Sequence, residues 1–245
     1  MPYLYTLMTV DWQQGRVVKI IEETWNTRRF FIEAYQTTTF DFKPGQFVTL
    51  DLPIHEKKNK RWRSYSIASR PDGTNVFELV IVLVDDGLGT NYIFENIKVG
   101  DEFTFRGALG VFTLPEPIEH DYYMICTGTG IAPFRSMALD AFHKAKPCKH
   151  FYLIYGTRTK GDLLYFDELK QLELDFPSFT YIPTLSRESW DGRTGYVHAI
   201  YKELCNGKPD AHFLLCGWKN MIDDARRNLA EMGYDKHQIH FELYG

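Results

Sequence analysis

The sequence predicts a two-domain protein: an antiparallel β-barrel over residues 1–116, then an α/β domain built on a parallel sheet over 117–245. Three observations carry this prediction. Short β-branched and aromatic runs with frequent alternation fill the first half, the pattern of strands with one buried face. Leu114-Pro115-Glu116-Pro117 stiffens the chain and ends the last of them. Beyond it come short apolar runs without polar alternation, separated by helical stretches, which is how strands buried on both faces read.

In the first half the strand patterns fall at 16–22, 29–35, 46–52, 65–69, 76–84 and 102–106. Lys43-Pro44-Gly45, Pro71-Asp72-Gly73 and Val99-Gly100-Asp101 supply turns between them. Six short strands at this spacing suit a small barrel. The stretch Asp85-Asp86-Gly87-Leu88-Gly89 leads into a short helix expected at 90–96, whose leading N–H groups would be open to an anion. A hairpin loop ending in a helical turn is the plainer alternative.

In the second half, buried strands are expected at 122–126, 149–155, 180–185 and 212–216, with a last strand at 240–244. Across 133–144, Phe134, Met137, Ala138, Ala141 and Phe142 recur on one helical face, and Pro133 suits the first turn. Met221, Ile222, Ala225 and Leu229 do the same across 218–232. Alternating strand and helix put helices on both faces of a parallel sheet.

Bulk composition narrows the function classes. A hydrophobic fraction of 44% in 245 residues is enough for real cores. Aromatic residues, at 16%, suit sites that stack on flat ligands. A net charge of −4 and a pI near 6.1 argue against a general nucleic-acid binder, while leaving room for a local basic patch. Cys126, Cys148, Cys205 and Cys216 show neither a C-x-x-C pair nor metal spacing, and read as reduced thiols of a cytoplasmic protein. The eight histidines lack zinc-site spacing, so no metal is expected. No signal-peptide pattern opens the chain, and no apolar run approaches the ~20 residues of a membrane span. A protein without membrane insertion is the expectation.

The chemistry-bearing stretches follow the predicted elements. In Arg63-Ser64-Tyr65-Ser66 an extended strand places Arg63 and Tyr65 on one face, a phosphate fork beside an aromatic plate. Read alone it is more simply an ordinary strand with a solvated arginine and a half-buried tyrosine. A phosphate held between Arg63 and the helix start after Gly89 is the physical proposal. In a parallel sheet, ligands bind beyond the carboxyl ends of the strands. Thr127-Gly128-Thr129-Gly130, Gly156-Thr157-Arg158, Ser186-Arg187-Glu188 and Gly217-Trp218 stand there. The first is a glycine-rich strand-to-helix turn able to bring backbone amides to a diphosphate, or simply a tight turn. Ser186 and Arg187, with Arg193 shortly after, make either a phosphomonoester pocket or a surface arginine paired with Glu188 or Asp191. Cys216 is a small buried hydrophobe or a soft group against a reacting ring. Glu242 is a strand-face carboxylate or a partly buried proton relay. Tyr244 is a tail aromatic or a stacking plate.

Together these pieces resemble the ferredoxin–NADP reductase family along the whole chain. The family's flavin motif, Arg-x-Tyr-Ser, matches Arg63-Ser64-Tyr65-Ser66, and its pyrophosphate turn matches Gly89-Thr90-Asn91. Its Gly-Thr-Gly-Thr-Gly-Ile-Ala-Pro-Phe-Arg-Ser segment matches residues 127–136, with Thr127 following Cys126 rather than a glycine. Its Ser-Arg-Glu matches Ser186-Arg187-Glu188, its Cys-Gly-x-x-x-Met matches Cys216, Gly217 and Met221, and its terminal Glu-x-Tyr matches Glu242-Leu243-Tyr244. Two departures stand out. Gly245 follows the terminal tyrosine, and one extra residue separates Arg193 from Tyr196.

The resemblance implies an FAD-binding barrel followed by an NADP-binding domain. It places Tyr65 and Tyr244 against the two faces of the isoalloxazine, Ser66 near flavin N5, and Arg63 and Thr90 on the pyrophosphate. Ser64, Gly89, Thr129, Gly130, Arg158, Gly217 and Met221 complete the cofactor-binding set, and Ser186, Arg187 and Arg193 face the 2′-phosphate. Cys216 would lie beside the nicotinamide and Glu242 would serve proton traffic, so that Ser66, Cys216 and Glu242 form the catalytic set. The implied activity is an FAD-dependent NADPH reductase, monomeric, exchanging electrons with a ferredoxin or flavodoxin. The cysteine-rich iron–sulfur module fused in some relatives is not present in this sequence, so the partner is expected to be separate. A reductase component of an oxygenase, a free flavin reductase, and a non-catalytic FAD-binding subunit or redox sensor are the alternatives.

Overall fold

A computed structural model of the chain describes residues 11–243. The first half forms β1 (Gln13–Thr24), β2 (Thr27–Glu33), β3 (Phe47–Asp51), β4 (Trp62–Ser66), β5 (Val76–Val82), α1 (Leu88–Asn96) and β6 (Glu102–Leu109). The six strands make one antiparallel sheet in the order β4-β3-β6-β1-β2-β5. A bridge between Ile67 and Leu79 brings the two ends of that order together, which closes the barrel. Alternation explains the closure: in β6, Phe103, Phe105 and Gly107 point inward while their neighbours do not. Inside, Phe40, Phe77 and Phe105 pack ring against ring, with Phe40 and Phe77 centroids 4.7 Å apart.

The second half runs β7 (Asp121–Thr127), α2 (Ile131–His143), β8 (Phe151–Thr157), α3 (Phe166–Asp175), β9 (Phe179–Leu185), β10 (Arg193–Thr194), α4 (Val197–Leu204), β11 (Ala211–Gly217), α5 (Lys219–Glu231) and β12 (Ile239–Leu243). Its parallel sheet has the order β10-β9-β8-β7-β11-β12. Two apolar clusters flank it. One holds Met124, Phe134, Met137 and Leu153; the other holds Ile125, Ile154, Ile200 and Ile222. Odd and even residues of one strand thus feed opposite faces. No helix among the described residues is long and apolar enough to cross a membrane.

Several boundaries differ from the sequence expectation for identifiable reasons. The strand expected at 65–69 begins at Trp62, because Trp62 and Arg63 pair in register with Asp51 and Leu50. The basic run before it folds into a single 3₁₀ turn, Lys58–Lys60. The helix expected at 90–96 starts at Leu88, with Gly87 as its cap. In α2 the expected apolar face is buried, but so are Arg135, Ser136 and Asp140. Arg135 and Ser136 turn toward the barrel, where Ser136 Oγ donates to the carbonyl of Ser69 at 2.6 Å, while Asp140 pairs with Lys144 and Lys146. Tyr244, expected in the last strand, lies outside the described residues.

Candidate active site

The first part of the site is the outer edge of the barrel. Arg63 Nη1 donates to the carbonyls of Trp62 and Lys60, at 2.8 and 3.1 Å. Its stem lies across Gly89, where an added Cβ would sit 2.9 Å from Arg63 Cγ. Glycine is therefore what lets the guanidinium reach the start of α1. The first N–H groups of a helix have no intrahelical acceptor and carry a partial positive charge. Thr90 does not aim its hydroxyl outward; it donates to the Gly87 carbonyl at 3.1 Å and accepts from the Val84 amide at 3.2 Å. Thr90 and Asn91 pin the loop, and the backbone amides with Arg63 are left to meet an anion. Tyr65 stands beside Arg63. Burial pushes its hydroxyl up to about 12, against the opposing pull of Arg63, so the ring stays neutral. Ser64 lies on the other face, 3.0 Å from the Thr49 hydroxyl. These groups fit a diphosphate joined to a flat ring system: a cradle that a Cβ would fill, a cation, and an aromatic plate.

The second part is the junction of the two sheets. Ser66 Oγ donates to Glu242 Oε2 at 2.9 Å, joining β4 to β12. Burial pushes the Glu242 carboxyl above its ordinary range, and the Ser66 hydrogen bond opposes this only in part. Glu242 pairs in register with Cys216 on β11, which pairs with Cys126 on β7. Cys216 is fully buried and belongs to the apolar cluster with Met124 and Phe134. The glycine turn after β7 closes on the same point, since a Cβ on Gly130 would lie 2.4 Å from the Cys216 carbonyl oxygen.

The third part is a cavity of about 790 Å³ at the carboxyl ends of the parallel strands. Thr129, Arg158, Ser186 and Met221 line it from the α/β domain, and Trp25 and Val84 from the barrel. Gly128 and Trp218 stand at one place on its wall, where a Cβ on Gly128 would meet Trp218 Nε1 at 4.0 Å. Arg187 is exposed beside the cavity, and its amide donates to the Arg158 carbonyl at 2.9 Å, so the two arginines stand on adjacent strand ends. Glu188 is turned away and accepts from the Lys160 amide at 2.7 Å. Arg187 has no ion pair with Glu188 or Asp191 among the described residues, whereas Arg193 is held in a two-pronged pair by Glu203 on α4. Ser66, Glu242 and Cys216 are thus brought into one line, and Arg63 and Gly89 into another. Arg193 is not brought to the cavity.

Sequence reasoning missed the ionic latch between the domains. Glu78, on β5, accepts from Arg29 Nε at 2.6 Å, Arg135 Nη1 at 3.1 Å and the Tyr165 hydroxyl at 2.8 Å. Arg135 also donates to the Ala68 carbonyl and to both oxygens of Glu168. Burial alone would raise Glu78, but the charge of Arg135 and the Arg29 hydrogen bond outweigh it and hold the carboxyl below its ordinary range. The signal was a charged residue, Arg135, on a helix with a strongly apolar face; nothing local said that Glu78 would meet it.

Comparison with known proteins places the two halves. The family model "Oxidoreductase FAD-binding domain" matches residues 14–114, and "Oxidoreductase NAD-binding domain" matches residues 124–227. The chain is 34% identical to a protein named Ferredoxin--NADP reductase B from Sorangium cellulosum, covering 94% of this chain and 97% of that one. It is 31% identical to the glycine betaine monooxygenase reductase subunit of Pseudomonas aeruginosa, covering 99% of this chain and 68% of the subunit. Among solved structures, a ferredoxin NADP+ reductase from Neisseria gonorrhoeae with bound FAD and NADP superposes with a TM-score of 0.80 at 27% identity, over 95% of this chain and 98% of that one. A cytochrome P450 reductase from Amycolatopsis gives a TM-score of 0.85 at 26% identity, over 96% of this chain and 71% of that one.

Proposed function

Since the chain belongs to the ferredoxin–NADP reductase family of FAD- and NAD-binding oxidoreductases, we propose that it oxidises NADPH and passes the electrons to a separate carrier protein of the ferredoxin or flavodoxin class. The observation that carries this reading is the Ser66–Glu242 hydrogen bond at 2.9 Å. It ties the strand of the Arg63-Ser64-Tyr65-Ser66 motif to the strand beside Cys216, so a ring held by Tyr65 lies where the nucleotide domain can reach it.

Bound FAD supplies the hydride and one-electron chemistry, which no side chain can. The chain's own residues position it. Arg63 and the α1 amides grip the diphosphate, Tyr65 gives the ring a plate, and Ser66 offers a hydroxyl at the reacting edge. Glu242, whose carboxyl burial raises above its ordinary range, accepts a hydrogen bond from Ser66 and so sets a proton-exchanging group beside the motif strand. The buried wall containing Cys216 and the Gly130 turn excludes water behind the nicotinamide.

NADPH is favoured over NADH by the charge at the far end of the cavity. Arg158 and Ser186 line it and Arg187 stands beside them; of the acids on this side, Asp162, which also lines the cavity, is engaged by the Trp25 indole and by Thr159, and Glu188 by the Lys160 amide. An NAD ribose commonly meets a carboxylate at such a place, and a 2′-phosphate meets arginine. Arg193, already paired with Glu203, does not belong to this set. For the carrier, the exposed run Lys57, Lys58 and Lys60 precedes the motif strand and presents positive charge to an acidic partner.

The second reading is a reductase component serving an oxygenase. The similarity to the glycine betaine monooxygenase reductase subunit favours it, and there the chain matches only part of the subunit. Anaerobic reduction of the FAD-loaded protein by NADPH and then NADH, followed by addition of ferredoxin, flavodoxin or an oxygenase component, tests both. Faster flavin bleaching with NADPH and reoxidation by ferredoxin or flavodoxin are expected. Faster bleaching with NADH overturns the nucleotide assignment, and no bleaching by either leaves a non-catalytic FAD-binding subunit.

A further inference from the structure

Among the described residues, the three most exposed aromatic side chains stand on one cavity: Trp25 at 79%, Tyr196 at 73% and Trp218 at 61%. Large aromatic surface left in water is unfavourable and marks a place where something flat binds. Tyr196 and Trp218 come from the α/β domain, as expected of a nucleotide site. Trp25 comes from the other domain. It sits in the tight turn between β1 and β2, closed by the pair Thr24–Thr27.

The turn does not wave in solvent. Trp25 Nε1 donates to Asp162 Oδ1 at 3.0 Å. Asp162 Oδ2 is occupied by the Thr159 amide and hydroxyl, at 3.0 and 2.8 Å, so the acceptor is fixed. Next to the turn, Glu23 Oε1 accepts from the Tyr165 amide at 2.7 Å and Glu23 Oε2 pairs with Arg29. The indole is therefore held by its edge, with its faces exposed, beside the segment that carries Arg158. Trp218 stands by Gly128 instead, toward the diphosphate turn.

We infer that Trp25 is a nucleotide-binding residue: an aromatic plate, contributed by the FAD-binding domain, that stacks on the adenine half of the dinucleotide while Arg158 and Ser186 hold the ribose phosphate. The inference rests on the dinucleotide reading of the cavity. It makes the site a shared one, in which neither domain alone binds the nucleotide fully.

Calorimetric titration of the FAD-loaded protein with 2′,5′-ADP and with AMP tests this. Both fragments contain adenine and lack nicotinamide. Trp25→Ala should weaken both by about tenfold, the scale of one base–aromatic stack. Trp25→Phe keeps a plate but loses the N–H donor, and should stay within about threefold of the parent. Unchanged affinity in Trp25→Ala overturns the inference, and so does a Trp25→Phe protein as weak as Trp25→Ala, which would mean that the Asp162 bond matters and the ring face does not. If the parent binds neither fragment, the dinucleotide reading itself fails. If it binds and ignores Trp25, only this inference fails.

Discussion

Ser66 and Glu242 show how much one contact across a domain boundary can decide. Alone, Glu242 is a carboxylate three residues from the chain end. Buried against Ser66, its pKa is raised. A carboxyl raised in the folded state holds its proton more tightly there than in the unfolded chain. Stability is then lost as pH rises from the ordinary glutamate value, about 4.3, through the higher folded value. Glu242→Gln removes that loss. The variant should gain on the parent as pH rises through this window, and the two should converge below it. Urea unfolding of both proteins from about pH 4 to about pH 8 measures the difference; a variant that is no more stable at neutral pH contradicts the assignment. Flavin reduction by NADPH should slow by roughly tenfold or more in the same variant if the carboxyl relays a proton.

At the scale of elements, the site depends on where loops are allowed to close. The β7–α2 turn can approach β11 only because Gly130 has no Cβ; an added one would lie 2.4 Å from the Cys216 carbonyl oxygen and 2.9 Å from the Gly217 amide nitrogen. These are backbone atoms inside a parallel ladder, so they cannot swing aside. Gly130 itself has an ordinary helical φ of −59°, which means that space is at stake, not backbone freedom. Gly130→Ala should cost about 1–3 kcal/mol by overpacking and raise the KM for NADPH. Thermal melting together with steady-state kinetics checks it, and a variant with parental melting and KM would show that the turn has room to shift. The same logic at α1 sets Gly89 beneath the Arg63 stem, but there the obstacle is a flexible side chain and the penalty is smaller.

For the whole molecule, the question is what fixes one domain against the other. Glu78 from the barrel is enclosed by Arg29 of its own domain and by Arg135 and Tyr165 of the other. Glu78 is 2% exposed and Arg135 6%, so water cannot replace a lost partner. Removing one member of a buried pair costs roughly 3–5 kcal/mol, because the remaining charge is stranded. Arg135→Met should therefore lower stability by about that much, softened by Arg29, and slow nucleotide-to-flavin transfer while each domain keeps its secondary structure. Adding Glu78→Gln to Arg135→Met should recover part of the stability, since the buried carboxylate left short of a partner is gone, Arg29 keeps its pair with Glu23, and the part-exposed Glu168 is left to water. Calorimetry of the single and double variants reads this directly; equal losses in both would show that the carboxylate was never held by Arg135.

Much of this was legible along the chain because it depends on neighbours in sequence. Alternating apolar residues name a barrel strand, uninterrupted apolar runs name a parallel one, and Arg63-Ser64-Tyr65-Ser66 places a cation beside a plate through strand geometry alone. Glycine turns after strands marked the ligand-facing edge for the same local reason. Contacts between residues 87 to 176 positions apart carry no such signature. Ser66 meets Glu242, Trp25 meets Asp162, and Glu78 meets Tyr165 because two closed sheets dock in one arrangement. The fate of each arginine was likewise decided in three dimensions: Arg158 lines the cavity, Arg187 stands beside it, Arg193 is taken by Glu203, and Arg135 is buried. Charge is written in the sequence, but its partner is chosen by distance, and distance exists only once the chain has folded.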